Sequence, residues 1–150
     1  MDVTRQTRLE VNLPATRSAL LACLGTIEDF GLAAKLGPDI VARVRLVVEE
    51  LFSNTIKYGY GGECEREVRV SLSAVGGLTL VYEDDAPTFD PEPWRPADRR
   101  PFAAESPRVG EAGLALLFGL AASVGHQAAD GGNRLVVTFA APVPFLGAGG

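Results

Sequence analysis

One histidine, two cysteines, one methionine and one tryptophan in 150 residues leave little material for several common kinds of site. With His126 alone, a histidine-based zinc centre and a Ser-His-Asp triad are both hard to assemble, and His126 is given no role. Cys23 and Cys64 lie far apart without metal-type spacing. Both are expected to be reduced, with Cys23 inside a helix core. Basic charge is short as well: 14 Lys and Arg against 19 Asp and Glu give a net charge of −5. That balance removes the overall positive surface of a nucleic-acid binder. No apolar run reaches the length of a membrane span, and the opening MDVTRQTRLE has no signal-peptide core. The expected partners therefore include neither nucleic acid nor membrane, and the expected compartment is the cytoplasm.

What is present suits one domain with a genuine core, since apolar residues make up 47% of the chain and charged residues 22%. TRLEVNL (7–13) alternates apolar and polar residues and predicts a strand. Asn12 or Leu13 is expected to cap a following helix, with Pro14 in its first turn and its end at Gly31. A second helix is predicted from Pro38 to about Tyr58, ended by the glycines of GYGG. REVRVSLSAV (66–75) and LTLVYED (78–84), joined at Gly76-Gly77, predict a hairpin. Residues 91–109 hold five prolines and four arginines and read as a long loop of the lid or binding kind. A third, largely apolar helix is predicted over 110–124. HQAADGG then turns the chain into a last strand, NRLVVTFAA, before a frayed tail at 142–150. The order β-α-α-β-β-loop-α-β(-β), with hairpins prominent, predicts an α/β (α+β) fold. Its expected form is a two-layer sandwich of a mixed, largely antiparallel sheet with helices on one face, occupying residues 1–141.

The stretch LVVEELFSNTIKYGYGG (46–62) carries polar residues inside a core-packing helix. At about 100° per residue, Ile40, Val41, Val44, Val48, Leu51, Phe52, Thr55 and Ile56 cluster on one side. Glu50, Asn54 and Lys57 gather nearly opposite, at i, i+4 and i+7. Glu49 is rotated away, so the spacing selects Glu50 as the neighbour of Asn54. Such a face is either the solvated side of an ordinary helix or the floor of a site. Asn is a poor helix-interior residue and the glycine-rich end permits close approach of a ligand. Both details weigh toward a site without deciding the matter.

VYEDDAPTFDP (81–91) puts Glu83, Asp84 and Asp85 at the end of an apolar strand. It reads either as a polar turn or as an acceptor for an exocyclic amine such as that of adenine. RVGEAGLALLFGLA (108–121) sets Gly110 and Gly113 in the first turn of a helix. Free N–H groups and the helix dipole there would seat a phosphate, although glycines before helices are common for other reasons. GGN at 131–133 reads most simply as a hairpin turn.

Taken in this order and at these separations, the segments from about residue 5 to 140 resemble the ATP-binding fold of the GHKL proteins. They look most like its short branch, the anti-sigma-factor serine kinases of the RsbW and SpoIIAB type. EELFSNTIKYGY is similar to that family's N box, EDDAPTFDP to its G1 box and VGEAGLALL to its G2 box. The resemblance implies Glu50 as general base, Asn54 as magnesium ligand and Lys57 near the phosphates. It places Asp84 and Ala86 at adenine, Gly110 and Gly113 at the phosphates, and the ATP lid at 91–109. ATP and Mg²⁺ are the implied cofactors. The implied partners are an anti-anti-sigma (STAS) protein carrying the acceptor serine or threonine, and a sigma factor; homodimerisation is implied as well. Ala86 and Glu111 stand where the family usually has glycine, adding a methyl beside adenine and a carboxylate near the triphosphate. The alternative reading is therefore a non-catalytic, partner-binding module of the same fold with weakened nucleotide use.

Overall fold

The computed structural model describes residues 7–88, 119–129 and 131–139. Strand β1, Arg8–Ala15, alternates as expected, with Leu9, Val11 and Leu13 turned toward the core. It runs two residues further than the sequence predicts. Pro14 lies in the strand rather than in a helix, and the pairing register shifts between Pro14 and Ala15. Because β1 is an edge strand of the sheet, a residue without an N–H is tolerated there. The cap of helix α1, Arg17–Ala33, is consequently Thr16 and not Asn12 or Leu13: its Oγ1 accepts from the Ala19 N–H at 3.1 Å.

Helix α2, Pro38–Asn54, starts where Pro38 and Asp39 fit the first turn. The chain then passes into a five-residue π-turn, Thr55–Gly59, in place of the regular α-helix expected to about Tyr58. Thr55 Oγ1 lies 3.0 Å from the Leu51 carbonyl one turn back. The Tyr60 N–H bonds to the Thr55 carbonyl at 2.7 Å and widens the turn.

Strands β2, Cys64–Ser73, and β3, Leu78–Asp84, form the expected hairpin. Gly76 and Gly77 take φ of 68° and 123°, which other residues rarely adopt. Strand β4, Ser123–Ala129, occupies a stretch expected to be helix end and turn, although Gly119 and Leu120 are helical. SVGHQAA has too few apolar residues to signal a strand; its pairing to β5, Gly132–Phe139, creates it. His126 is therefore a strand residue opposite Leu135.

The sheet order is β1-β2-β3-β5-β4, and all four described pairings are antiparallel. Both described helices cover one face. Val68, Val70, Leu72, Leu78, Leu80, Leu135, Val137 and Phe139 of the sheet pack against Leu20, Cys23, Ile27 and Phe30 of α1 and Val44, Val47, Val48, Leu51 and Phe52 of α2. Val47 joins this core although the wheel did not select it. No helix among the described residues is long and apolar enough to cross a membrane.

Candidate functional site

Strand alternation carries a carboxylate onto the helix-facing side of the sheet. Leu78, Leu80 and Tyr82 of β3 point inward, and Asp84 is the next residue in that series, 3% exposed. Its cross-strand partner in β5 is Asn133, itself 1% exposed. The Asn133 side-chain N–H groups donate to Asp84 Oδ1 at 2.9 Å and to the Ala86 and Pro87 carbonyls at 3.3 and 3.2 Å. The Ala86 N–H adds a second donor to Oδ1 at 3.1 Å. Thr55, at the end of α2, donates to Asp84 Oδ2 at 2.7 Å. Burial of a carboxylate is tolerated where donors surround it in this way.

The same turn is fastened from outside. Tyr60 OH accepts from the Asp85 N–H at 2.8 Å and donates to the Glu67 carbonyl at 2.7 Å. Burial, foremost, pushes the Tyr60 phenol above its ordinary range. Arg66 stacks 4.5 Å over the Tyr60 ring and donates to the Asp85 carbonyl at 2.9 Å. Arg69 pairs with the Asp85 carboxylate at 3.1 Å. That hydrogen bond, ahead of all other influences, raises the hold of Arg69 on its proton. Thr88 Oγ1 closes the far end of the turn on the Gly132 carbonyl at 3.0 Å.

Two close approaches set the backbone here. A β-carbon on Gly132 would run into the Asp84 carbonyl, so the last hairpin meets β3 only with glycine at 132. A β-carbon on Gly59 would lie 2.8 Å from the Ala86 methyl. The buried Ala86 side chain thus packs on the end of the π-turn.

Glu50 is half-buried and Glu49 exposed. Asn54, half-buried, closes α2 one turn after Glu50. No described side chain engages either residue by hydrogen bond or ion pair. Lys57 is exposed within the π-turn. Because that turn is wider than α-helix, the regular wheel does not extend to Lys57. Gly110, Gly113, Glu111 and the 91–109 loop lie outside the described residues. The structure therefore brings Asp84 and Ala86 to the C-terminal end of the helix bearing Glu50 and Asn54. Thr55, Tyr82, Gly59 and Asn133 complete the arrangement. Sequence reasoning placed Thr55 on the apolar face and Asn133 in a turn, and gave neither a role.

No group of three or more His, Cys, Asp or Glu side chains among the described residues is arranged to hold a metal ion. Asn54 offers one amide oxygen. That donor set fits Mg²⁺, which takes one or two protein oxygens and fills its shell with water and phosphate oxygens. It does not fit a metal held wholly by protein side chains.

Residues 13–139 match the family described as the histidine kinase-like ATPase domain. No curated protein matches the chain. Among solved structures, the crystal structure of the RsbU and RsbW domains of Rv1364c from Mycobacterium tuberculosis matches with a TM-score of 0.65 and 15% identity. The match covers 93% of this chain and 34% of that one. At that identity the likeness is one of fold.

Proposed function

The chain belongs to the family of histidine kinase-like ATPase domains, and from that premise we propose that it is an ATP-dependent serine/threonine protein kinase of the anti-sigma type. It transfers the γ-phosphate of ATP to a Ser or Thr of an anti-anti-sigma (STAS) protein in the cytoplasm, and its second partner is a sigma factor. One observation carries the reading: the buried Asp84 is tied through Thr55 to the end of the helix on which Glu50 and Asn54 stand one turn apart.

In this reading Asp84 accepts the exocyclic amine of adenine and Ala86 lines the base. Its methyl, packed on Gly59, belongs to the wall of the site. Lys57 and the N–H groups of Gly110 and Gly113 draw the phosphates. Asn54 contributes its amide oxygen to Mg²⁺. When bound, that ion neutralises charge on the transferring phosphoryl group. Glu50 takes the proton from the incoming hydroxyl at a carboxylate oxygen and fixes the direction of attack. The 91–109 segment excludes water from the reacting groups.

The test is transfer of labelled γ-phosphate from Mg-ATP to the cognate STAS protein, with isothermal titration of Mg-ATP in parallel. Transfer that depends on Glu50 supports the kinase. Binding without transfer to any serine or threonine acceptor leaves a non-catalytic regulator. Absence of heat at high Mg-ATP concentration sinks the nucleotide reading itself.

A further inference from the structure

The Thr55 hydroxyl sits at a junction of three oxygens. It lies 2.6 Å from Tyr82 OH, 2.7 Å from Asp84 Oδ2 and 3.0 Å from the Leu51 carbonyl. It has one proton to donate. Tyr82 is 1% exposed, and among the described residues Thr55 is the hydrogen-bond partner of its hydroxyl. A buried phenol left without an acceptor costs free energy, so Tyr82 donates to Thr55 Oγ1. Burial, the largest influence, pushes the Tyr82 phenol well above its ordinary range, which keeps that proton in place. Thr55 then donates its own proton. The carboxylate oxygen is nearer than the Leu51 carbonyl, and a charge-assisted bond is the stronger of the two. The protons therefore run in one direction, from Tyr82 to Thr55 to Asp84.

The other donors around Asp84 are committed as well. The Ala86 N–H goes to Oδ1, and the Asn133 side chain is shared between Oδ1 and the Ala86 and Pro87 carbonyls. A carboxylate offers roughly four acceptor positions, and Thr55, Ala86 and Asn133 fill three of them. What this corner still offers a ligand is one acceptor position and no free donor among these groups. A purine bearing an amine at carbon 6 finds an acceptor for its N–H. A purine bearing an oxygen there meets an acceptor with an acceptor.

We infer that Thr55, with its proton directed by Tyr82, is a positioning residue that fixes Asp84 as an acceptor and thereby selects a 6-amino over a 6-oxo purine nucleotide. The inference rests on the reading of Asp84 as the nucleobase acceptor. It adds that the choice of base is set by a buried hydroxyl relay rather than by the carboxylate alone.

The experiment titrates Mg-ATP and Mg-GTP into wild type, Thr55→Val, Thr55→Ser and Tyr82→Phe, and measures hydrogen exchange of the Ala86 amide without nucleotide. Thr55→Val keeps the shape and removes the hydroxyl. Without that hold Asp84 no longer keeps its bond to the ligand amine, so ATP is expected to weaken about tenfold, the worth of that one charge-assisted hydrogen bond; GTP is expected to change little, and Ala86 exchange to speed up. Thr55→Ser restores the ATP preference, and Tyr82→Phe falls between the two. A purely structural Thr55 would change both nucleotides by the same factor, and that result overturns the inference. Should Thr55→Val not fold, an unchanged ATP-to-GTP ratio in Tyr82→Phe overturns it equally. If wild type binds neither nucleotide, the reading of the site fails separately. The amide exchange then decides the relay: faster Ala86 exchange in the variants upholds its positioning role, and unchanged exchange ends it.

Discussion

Gly59 and Ala86 are fitted to each other across the end of helix α2, where a β-carbon on Gly59 would stand 2.8 Å from the Ala86 methyl. Neighbouring atoms essentially never approach so closely, and the Ala86 side chain is short and has no flexible end to yield. Gly59 has an ordinary backbone conformation, not the left-handed one that favours glycine. Gly59→Ala is therefore expected to cost about 1–3 kcal/mol by steric overpacking. Adding Ala86→Gly should return much of that loss. Urea midpoints for the two single variants and the double variant form the measurement. Additive losses would show that the pair does not interact.

Glu50 is half-buried on the same helix face as Asn54 and has no described ion-pair partner. Glu50→Gln preserves volume and hydrogen-bonding capacity while removing the base. Phosphotransfer to the STAS acceptor is expected to fall by about 10²–10⁴-fold, with Mg-ATP affinity within about threefold of wild type. Single-turnover transfer and calorimetry check the two halves independently. Loss of binding together with transfer would remove Glu50 from the role of base.

Most of the framework was legible because it is written in local signals. Alternation marked β2 and β3, the Gly76-Gly77 pair marked their hairpin, and Pro38 marked the start of α2. Features that arise from long-range pairing were not legible. Thr55 has its decisive partner 29 residues away in sequence, and Asn133 meets Asp84 across 49 residues. Strand β4 exists through its pairing with β5, since SVGHQAA alone carries no strand pattern. Pro14 shows the complementary error. Its local signal suits a helix start, yet an edge strand also tolerates proline.

Asn133 holds three acceptors at once, so its loss leaves Asp84 Oδ1 short of a donor and two carbonyls less well satisfied. Asn133→Ala is expected to destabilise the fold by about 1–3 kcal/mol, the range for buried polar groups that lose a partner. Asn133→Asp is expected to be worse, because it sets a second carboxylate against the first. Equilibrium unfolding at neutral pH ranks the two. Asn133→Asp equal to or milder than Asn133→Ala would mean that Asp84 is not held by the amide in the way described.

Cys23 supplies a pH dependence whose sign follows from its place in the core. It is 1% exposed between α1 and the sheet, and burial pushes its thiol up to about 11 from 9.0. The unfolded chain therefore releases this proton at lower pH than the folded one. Between about pH 9 and 11 the folded state binds more protons, so the stability gained from burying a neutral thiol falls as pH rises. That stability is fully present below pH 9, and the loss across the window is about 2–3 kcal/mol. Tyr82, raised by burial in the same direction, steepens the decline at the alkaline end. Urea midpoints at pH 8 and pH 10.5 are expected to differ clearly in wild type and markedly less in Cys23→Ala. Comparing slopes rather than absolute stabilities removes the cavity cost of that substitution. An equal decline in both proteins would transfer the alkaline sensitivity from Cys23 to the phenols of Tyr60 and Tyr82, which burial also raises.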